Sequence, residues 1–127
     1  MNQREHPFDV LEGHRYVNLR TFRKSGESVS TTVWFVLLGG RLYVTTDPDS
    51  GKMKRIRNDP RVVLTPSNAW GRPKGGSVEG IGRPVEEEDT SRAEQALRRK
   101  YRLILRLFEL FGRGDIGRIT LEIRSAE

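Results

Sequence analysis

Val29-Ser30-Thr31-Thr32-Val33-Trp34-Phe35-Val36-Leu37-Leu38-Gly39-Gly40-Arg41-Leu42-Tyr43-Val44-Thr45-Thr46 is the stretch on which the fold turns. From Val29 to Leu38 it is dominated by β-branched and aromatic residues, which fit a pleated, half-buried surface. Gly39-Gly40 tolerates the positive φ angles of a two-residue hairpin, so Arg41 to Thr46 reads as the returning strand.

Outward toward the N-terminus, Arg15 to Lys24 alternates Tyr16, Asn18, Arg20 and Phe22 against Val17, Leu19 and Thr21, the period of a strand. Ser25-Gly26-Glu27-Ser28 reads as the turn between the two runs, and Phe8 to Glu12, closed by Gly13, carries a weak helical signal. Toward the C-terminus, Asp47 to Gly51 is a loop with a helix cap, and Lys52 to Asn58 is a short helix with Met53 and Ile56 inward, stopped by Asp59-Pro60. Arg61 to Thr65 and Ser77 to Val85 are further strands, separated by a Pro- and Gly-rich loop around Trp70. Gly80 and Gly82 mark a bend or a close backbone approach in the second of these.

Ser91 to Glu94 matches a capping box for one long helix, whose stripe runs through Ala93, Leu97, Tyr101, Ile104, Phe108 and Phe111 to a stop at Gly112. Ile116 to Arg124 closes the chain as a strand, with Ile119, Leu121 and Ile123 inward against Arg118, Thr120 and Glu122. Six strands joined mostly by hairpins give a mainly β, α+β fold. The expectation is a six-stranded antiparallel barrel with one short helix and one long helix packed outside.

At 127 residues and 14.6 kDa the chain reads as one domain, residues 1 to 127. It has no cysteine, which excludes disulfides, thiolate metal sites and a cysteine nucleophile. The charged start Met1 to Pro7 has no apolar run behind it, so no signal peptide is expected. The apolar cluster Leu103 to Phe111 is interrupted by Arg106 and Glu109 and falls short of the ~20 residues of a membrane span. The expected compartment is therefore the cytoplasm, with no membrane partner. A net charge of +6 and a pI near 10.2 point to anionic ligands, and a hydrophobic content of 35% leaves a modest core that a second subunit would help to cover.

The chemistry concentrates between Thr45 and Pro60. Thr45 and Thr46 put two hydroxyls at a strand end, Ser50 caps a helix whose first N–H groups are free, and Lys52, Lys54, Arg55 and Arg57 follow within six residues. Directed donors at a helix start together with neutralising charge make a phosphate site. Helix geometry puts Lys52 and Arg55 on one flank and Lys54 and Arg57 on the other. Lys52, in the first turn, is the preferred phosphate ligand, with Lys54 as an additional candidate. A solvated basic helix is the competing reading.

The run from Ser50 through Arg57-Asn58-Asp59-Pro60 to Val62, after Leu42 to Thr46 and Val29 to Phe35, resembles the pyridoxamine 5'-phosphate oxidase-like split-barrel superfamily. It is most similar to the branch that uses coenzyme F420. Gly80 to Glu86 is similar too, so the resemblance covers residues 15 to 124. It implies a split β-barrel homodimer with cofactor sites at the subunit interface, binding F420 or alternatively FMN, and hydride transfer to or from a small conjugated substrate. Ser30, Thr31, Thr32, Val33 and Trp34 would then lie along the ring, Thr45 and Thr46 by the ribityl chain or phosphate, and Ser50 and Lys52 on the phosphate. The F420 branch commonly has proline where this chain has Thr32.

Trp34 reads first as a core aromatic and second as a ring contact. Trp70, beside Arg72 and Lys74, reads as a cap on a ligand or a dimer seam. Arg98-Arg99-Lys100-Tyr101-Arg102 reads as a charged outer face, with contact to a polyglutamate tail as the sharper alternative. Neither His6 nor His14 is assigned, no metal site is expected, and the ring chemistry requires no catalytic dyad. Two other classes compete: a basic barrel binding nucleic acid, disfavoured because the cations sit on helices, and a flavin-binding protein without turnover.

Overall fold

The computed structural model describes residues 6–110 and 118–126. The expected stop at Gly112, the strand start at Ile116, and the parts of the helical stripe assigned to Phe111 and the Phe108 side chain lie outside the described residues. After a 3-10 helix, Pro7–Leu11, come strands β1 (Tyr16–Phe22), β2 (Ser28–Val33), β3 (Phe35–Leu38) and β4 (Arg41–Thr45). Helix α1 (Gly51–Asn58) follows, then β5 (Arg61–Ser67), β6 (Val78–Pro84), α2 (Glu87–Lys100), α3 (Arg102–Leu110) and β7 (Ile119–Ser125). All neighbouring strands are antiparallel, in the order β2-β1-β5-β6-β7-β4-β3.

Seven strands replace the expected six because the run from Val29 to Leu38 breaks at Trp34. Its first half pairs with β1 at one edge of the sheet and its second half with β4 at the other. One continuous segment thus joins both edges, which curls the sheet into a split barrel. The Gly39-Gly40 hairpin forms as expected, with φ of 61° and 79° and Leu38 opposite Arg41.

The barrel interior is filled by residues such as Leu19, Phe35, Leu64, Leu121 and Ile123, and is plugged by Phe8 and Leu11 of the 3-10 helix and by Met53 and Ile56 of α1. A second layer lies outside, where Val36 and Tyr43 meet Ala93, Leu97, Tyr101 and Leu105 of the helices. Ile119, expected to share the inner face with Leu121 and Ile123, joins this outer layer. The β4–β7 register shifts at that end, between Val44 and Thr45.

The expected long helix is two. Tyr101 leaves helical geometry at φ −107° and ψ 24°, and its buried ring separates α2 from α3. The Ser91–Glu94 capping box does not form either. The helix starts five residues earlier, after Glu86, where Glu87, Glu88 and Asp89 place three carboxylates in the positive first turn. Glu94 instead accepts a hydrogen bond from the Ile119 N–H at 3.4 Å.

Gly80 is a close-approach position. A Cβ there would stand 2.6 Å from Ile123 Cγ2 and 2.9 Å from the Arg124 carbonyl oxygen, and the backbone atom cannot swing away. Gly80→Ala is expected to destabilise the fold by about 1–2 kcal/mol through overpacking. A urea midpoint equal to that of the wild type would refute this close packing.

Candidate functional site

Helix α1 forms where Ser50 ends an extended backbone and its Oγ accepts the Met53 N–H at 3.3 Å. The Thr46 hydroxyl donates to Ser50 Oγ, also at 3.3 Å, so the end of β4 is tied to the cap. The preceding loop is folded onto itself: Asp47 Oδ1 accepts the Asp49 N–H at 3.0 Å, and Arg57 Nη2 donates to the Pro48 carbonyl at 3.2 Å. Met53 and Ile56 seat the helix in the barrel core, so its N-terminus is held rigidly at the surface. The Gly51 and Lys52 N–H groups make no hydrogen bond among the described residues.

The cations around this terminus are crowded and uncompensated. Burial, and then the charge of Arg55, pull the Lys52 ammonium below its ordinary pKa. Burial, and then Arg23, do the same to Arg55. Burial and like charge act on both groups, and neither forms an ion pair among the described residues, so this is a positive pocket. Arg55 Nε donates to the buried Thr21 hydroxyl at 2.6 Å, which places the guanidinium against β1. Gly51 makes room for it, since a Cβ there would stand 2.9 Å from Arg55 Nη1.

Thr46, Ser50 and Lys52 therefore come together at one helix start, with Thr45 partly buried at the adjoining strand end. Lys54 is exposed, on the flank away from Lys52 and Arg55. Sequence reasoning kept Arg55 only as flank charge. Its larger part rests on the buried hydroxyl of Thr21, 34 residues earlier in the chain, which no local pattern signals.

The five residues expected along a ring divide between two faces and a corner. On β2, Thr31 and Val33 stand opposite Leu19 and Val17 on the inner face, whereas Ser30 and Thr32 stand opposite Arg20 and Asn18 on the outer one. Thr31 Oγ1 is buried without a hydrogen-bond partner. Thr32 Oγ1 donates to Asn18 Oδ1 at 2.8 Å, and Asn18 Nδ2 donates to the Gly71 carbonyl at 2.8 Å. The hydroxyl at position 32 thus ties β2, through Asn18, to the loop that carries Trp70. That indole is 89% exposed, held by an Asx turn in which Asn68 Oδ1 accepts the Trp70 and Arg72 N–H groups. Trp34, at the corner between β2 and β3, stacks on Tyr101 with centroids 4.4 Å apart and planes 7° from parallel.

Tyr101 escaped sequence reasoning as anything but core. Its hydroxyl accepts from the Phe35 N–H at 3.1 Å and reaches the carbonyls of Arg15 and Phe35, joining the helix break to the strand break. Burial raises its pKa well above the ordinary phenol value. Beside it, Lys100 Nζ donates to the Phe35 carbonyl at 2.9 Å and lies 3.4 Å from the Phe35 ring centroid, and burial lowers its pKa to about 8. Tyr101→Phe leaves a buried N–H and carbonyls short of a partner, and is expected to cost about 1–2 kcal/mol. Unfolding in urea measures the loss, and a change below a few tenths of that scale would remove the hydroxyl from the account of the corner.

The profile of the pyridoxamine 5'-phosphate oxidase family matches residues 5–127 of the chain. Among curated proteins no sequence matches it. Among solved structures it is similar to a conserved hypothetical protein from Mycobacterium tuberculosis, at 20% identity and TM-score 0.66, covering 100% of this chain and 87% of that one. It is also similar to an F420 reductase, at 19% identity and TM-score 0.61, covering 98% and 97%. A third similar structure is the heme storage protein HutZ from Vibrio cholerae, at 12% identity and TM-score 0.62, covering 91% and 84%. At these identities the structures establish the shared fold, and the cofactors named for them differ.

Proposed function

The chain belongs to the pyridoxamine 5'-phosphate oxidase family, and on that premise we propose that it is an oxidoreductase that binds coenzyme F420, or alternatively FMN, at the interface of a homodimer. The observation that carries this reading is the uncompensated positive charge of Lys52, Arg55 and Arg23 around the free N-terminus of α1. A phosphate dianion is the ligand that such a site fits, because it takes up both the N–H groups and the charge. The F420 reductase of the same fold supports the deazaflavin as a cofactor of this kind.

In this proposal Lys52 and the Gly51 and Lys52 N–H groups hold the phosphate, while Thr45, Thr46 and Ser50 order the strand end beside it. Lys54 adds long-range attraction from its exposed flank. Strand β2 is an edge strand, paired only with β1, so its outer backbone N–H and C=O groups are free to meet the polar rim of a flat ring. This lets Ser30 to Trp34 serve the ring through the backbone even though their side chains divide between faces. The Thr32–Asn18–Gly71 hydrogen bonds hold the Trp70 loop near the same strand, from which the exposed indole would exclude water. The ring itself supplies the hydride chemistry, and the protein orients it and keeps the site dry.

The test is a parallel fluorescence titration of the purified protein with F420 and FMN, with hemin followed by absorbance as a third arm. Micromolar or tighter binding of F420, competed by inorganic phosphate, followed by acceptor-dependent return of the oxidised cofactor's absorbance from its reduced form, is the expected result. Binding of hemin alone, or of none of the three, would overturn the reading. So would tight F420 binding without hydride transfer to any conjugated acceptor, which would leave a carrier in place of an enzyme.

A further inference from the structure

Helix α3 carries a stripe that the barrel does not cover. Leu103, Leu107 and Leu110 are 73%, 54% and 79% exposed. Spaced four and three residues apart, they share one side of the helix, roughly opposite the buried Leu105. Arg98, Arg99, Arg102 and Arg106 flank the stripe and line an open cavity of about 410 Å³. A second, smaller cavity, of about 190 Å³, shares Arg99 and Arg102 with it and adds Arg15 and Lys100 around Leu103. Neither lining contains a carboxylate, and none of the four flanking arginines forms an ion pair among the described residues.

We infer that this face docks the protein on an anionic lipid surface, with the three leucines entering the headgroup boundary and the arginines engaging lipid phosphates. Exposed large apolar side chains on one line, bordered by guanidinium groups, are what an interfacial amphipathic helix presents. Guanidinium pairs well with phosphate in bidentate geometry. A second copy of the chain fits the face poorly, because a two-fold contact would bring the same rows of arginines toward each other, with no carboxylate in the cavity linings among the described residues to separate them. A nucleic acid would satisfy the arginines but leave the leucines in water. The mode is peripheral, since among the described residues no helix is long and apolar enough to cross a membrane.

The test is co-sedimentation of the full chain with vesicles of phosphatidylcholine alone and of phosphatidylcholine with phosphatidylglycerol, at low and high salt. Binding to the anionic vesicles only, weakened by salt, is expected. Each basic residue near such a surface strengthens binding roughly fivefold, so changing Arg98, Arg99, Arg102 and Arg106 together to Gln should weaken it by at least about tenfold even if only two of them engage. Leu103→Ser, Leu107→Ser and Leu110→Ser combined should weaken it similarly while leaving the size in solution unchanged by light scattering. Equal binding to neutral and anionic vesicles, or no binding to either, overturns the inference. A smaller particle for the leucine variant would make the face an interface between copies, and salt-sensitive binding of a single-stranded oligonucleotide without vesicle binding would make its partner a nucleic acid.

Discussion

Lys52→Ala should weaken cofactor binding roughly 10- to 100-fold, the size of losing one charge-assisted hydrogen bond to a phosphate. The folded protein should lose nothing by the change, and this separates the expected effect from a general loss of structure. Lys52 sits among Arg55 and Arg23 with its ammonium disfavoured by burial and by like charge, so removing it relieves the unliganded pocket. The variant should therefore melt at or slightly above the wild-type temperature without ligand, and below it when both are saturated with inorganic phosphate or cofactor. Lys54→Ala, on the exposed flank, should cost no more than a few-fold and lose that effect at high salt. Ser50→Ala behaves differently again: it removes the cap on Met53 and should lower stability by about 1 kcal/mol before any effect on binding is read. Equal affinity of Lys52→Ala and wild type for F420 and FMN would exclude the α1 terminus as the phosphate site.

The geometry of this candidate site was readable in the sequence because everything in it is local. The hydroxyls, cap, free N–H groups and first-turn cation lie between Thr45 and Lys52, and helix geometry alone sorts Lys52 from Lys54. The hairpin at Gly39-Gly40 and the alternation of β1 were legible for the same reason. What local patterning could not show is where a continuous apolar run changes partners. Nothing in Val33-Trp34-Phe35 marks a break, because both halves favour a strand, and the corner is imposed by Tyr101 some 66 residues away in the chain. The helix break at Tyr101 is hidden in the same way: the residue matches the helical stripe, yet its hydroxyl is bound to the strand corner. The start of α2 was misplaced because a genuine capping-box pattern competed with an acidic first turn, and the acids prevailed. Arg55 was undervalued because its hydrogen-bond partner Thr21, on β1, and the neighbouring charge of Arg23, just beyond that strand, lie far from it in the sequence.

The residue that alternation misread most is Glu122, and replacing it carries the other large expected effect. It was assigned to an outward polar face, but that face lies beneath α2, and the carboxylate is fully buried there. Three arginines from three strands converge on it. Arg83 Nε is at 2.9 Å and Arg41 Nη1 at 3.2 Å, while Arg124 Nε donates at 3.3 Å. Arg41 also reaches toward Asp89 of α2 at 3.9 Å, and Arg83 pairs with Glu86 at the helix start, so the cluster fastens the helix to the sheet. Burial by itself would raise the Glu122 pKa, but the hydrogen bond and charge of Arg83, then those of Arg124, outweigh it and hold the carboxyl below its usual range. Glu122→Gln would remove the anion that three guanidinium groups share, leaving Arg41 and Arg83 only Asp89 and Glu86, over a buried amide. Breaking a buried pair from one side costs about 3–5 kcal/mol, and the partial exposure of the arginines, with side chains 37–45% accessible, argues for the lower part of that range. The dependence on pH has a definite sign. A carboxyl whose folded pKa is depressed contributes stability above its unfolded pKa, near ~4.3, and loses it as pH falls through the folded value. The gap between wild type and Glu122→Gln in urea midpoint should thus be full at neutral pH and should narrow as the solution is acidified below about pH 4. A gap that stayed constant down to acid pH would mean that Glu122 contributes through packing alone, and that the charge cluster does not hold α2 to the barrel.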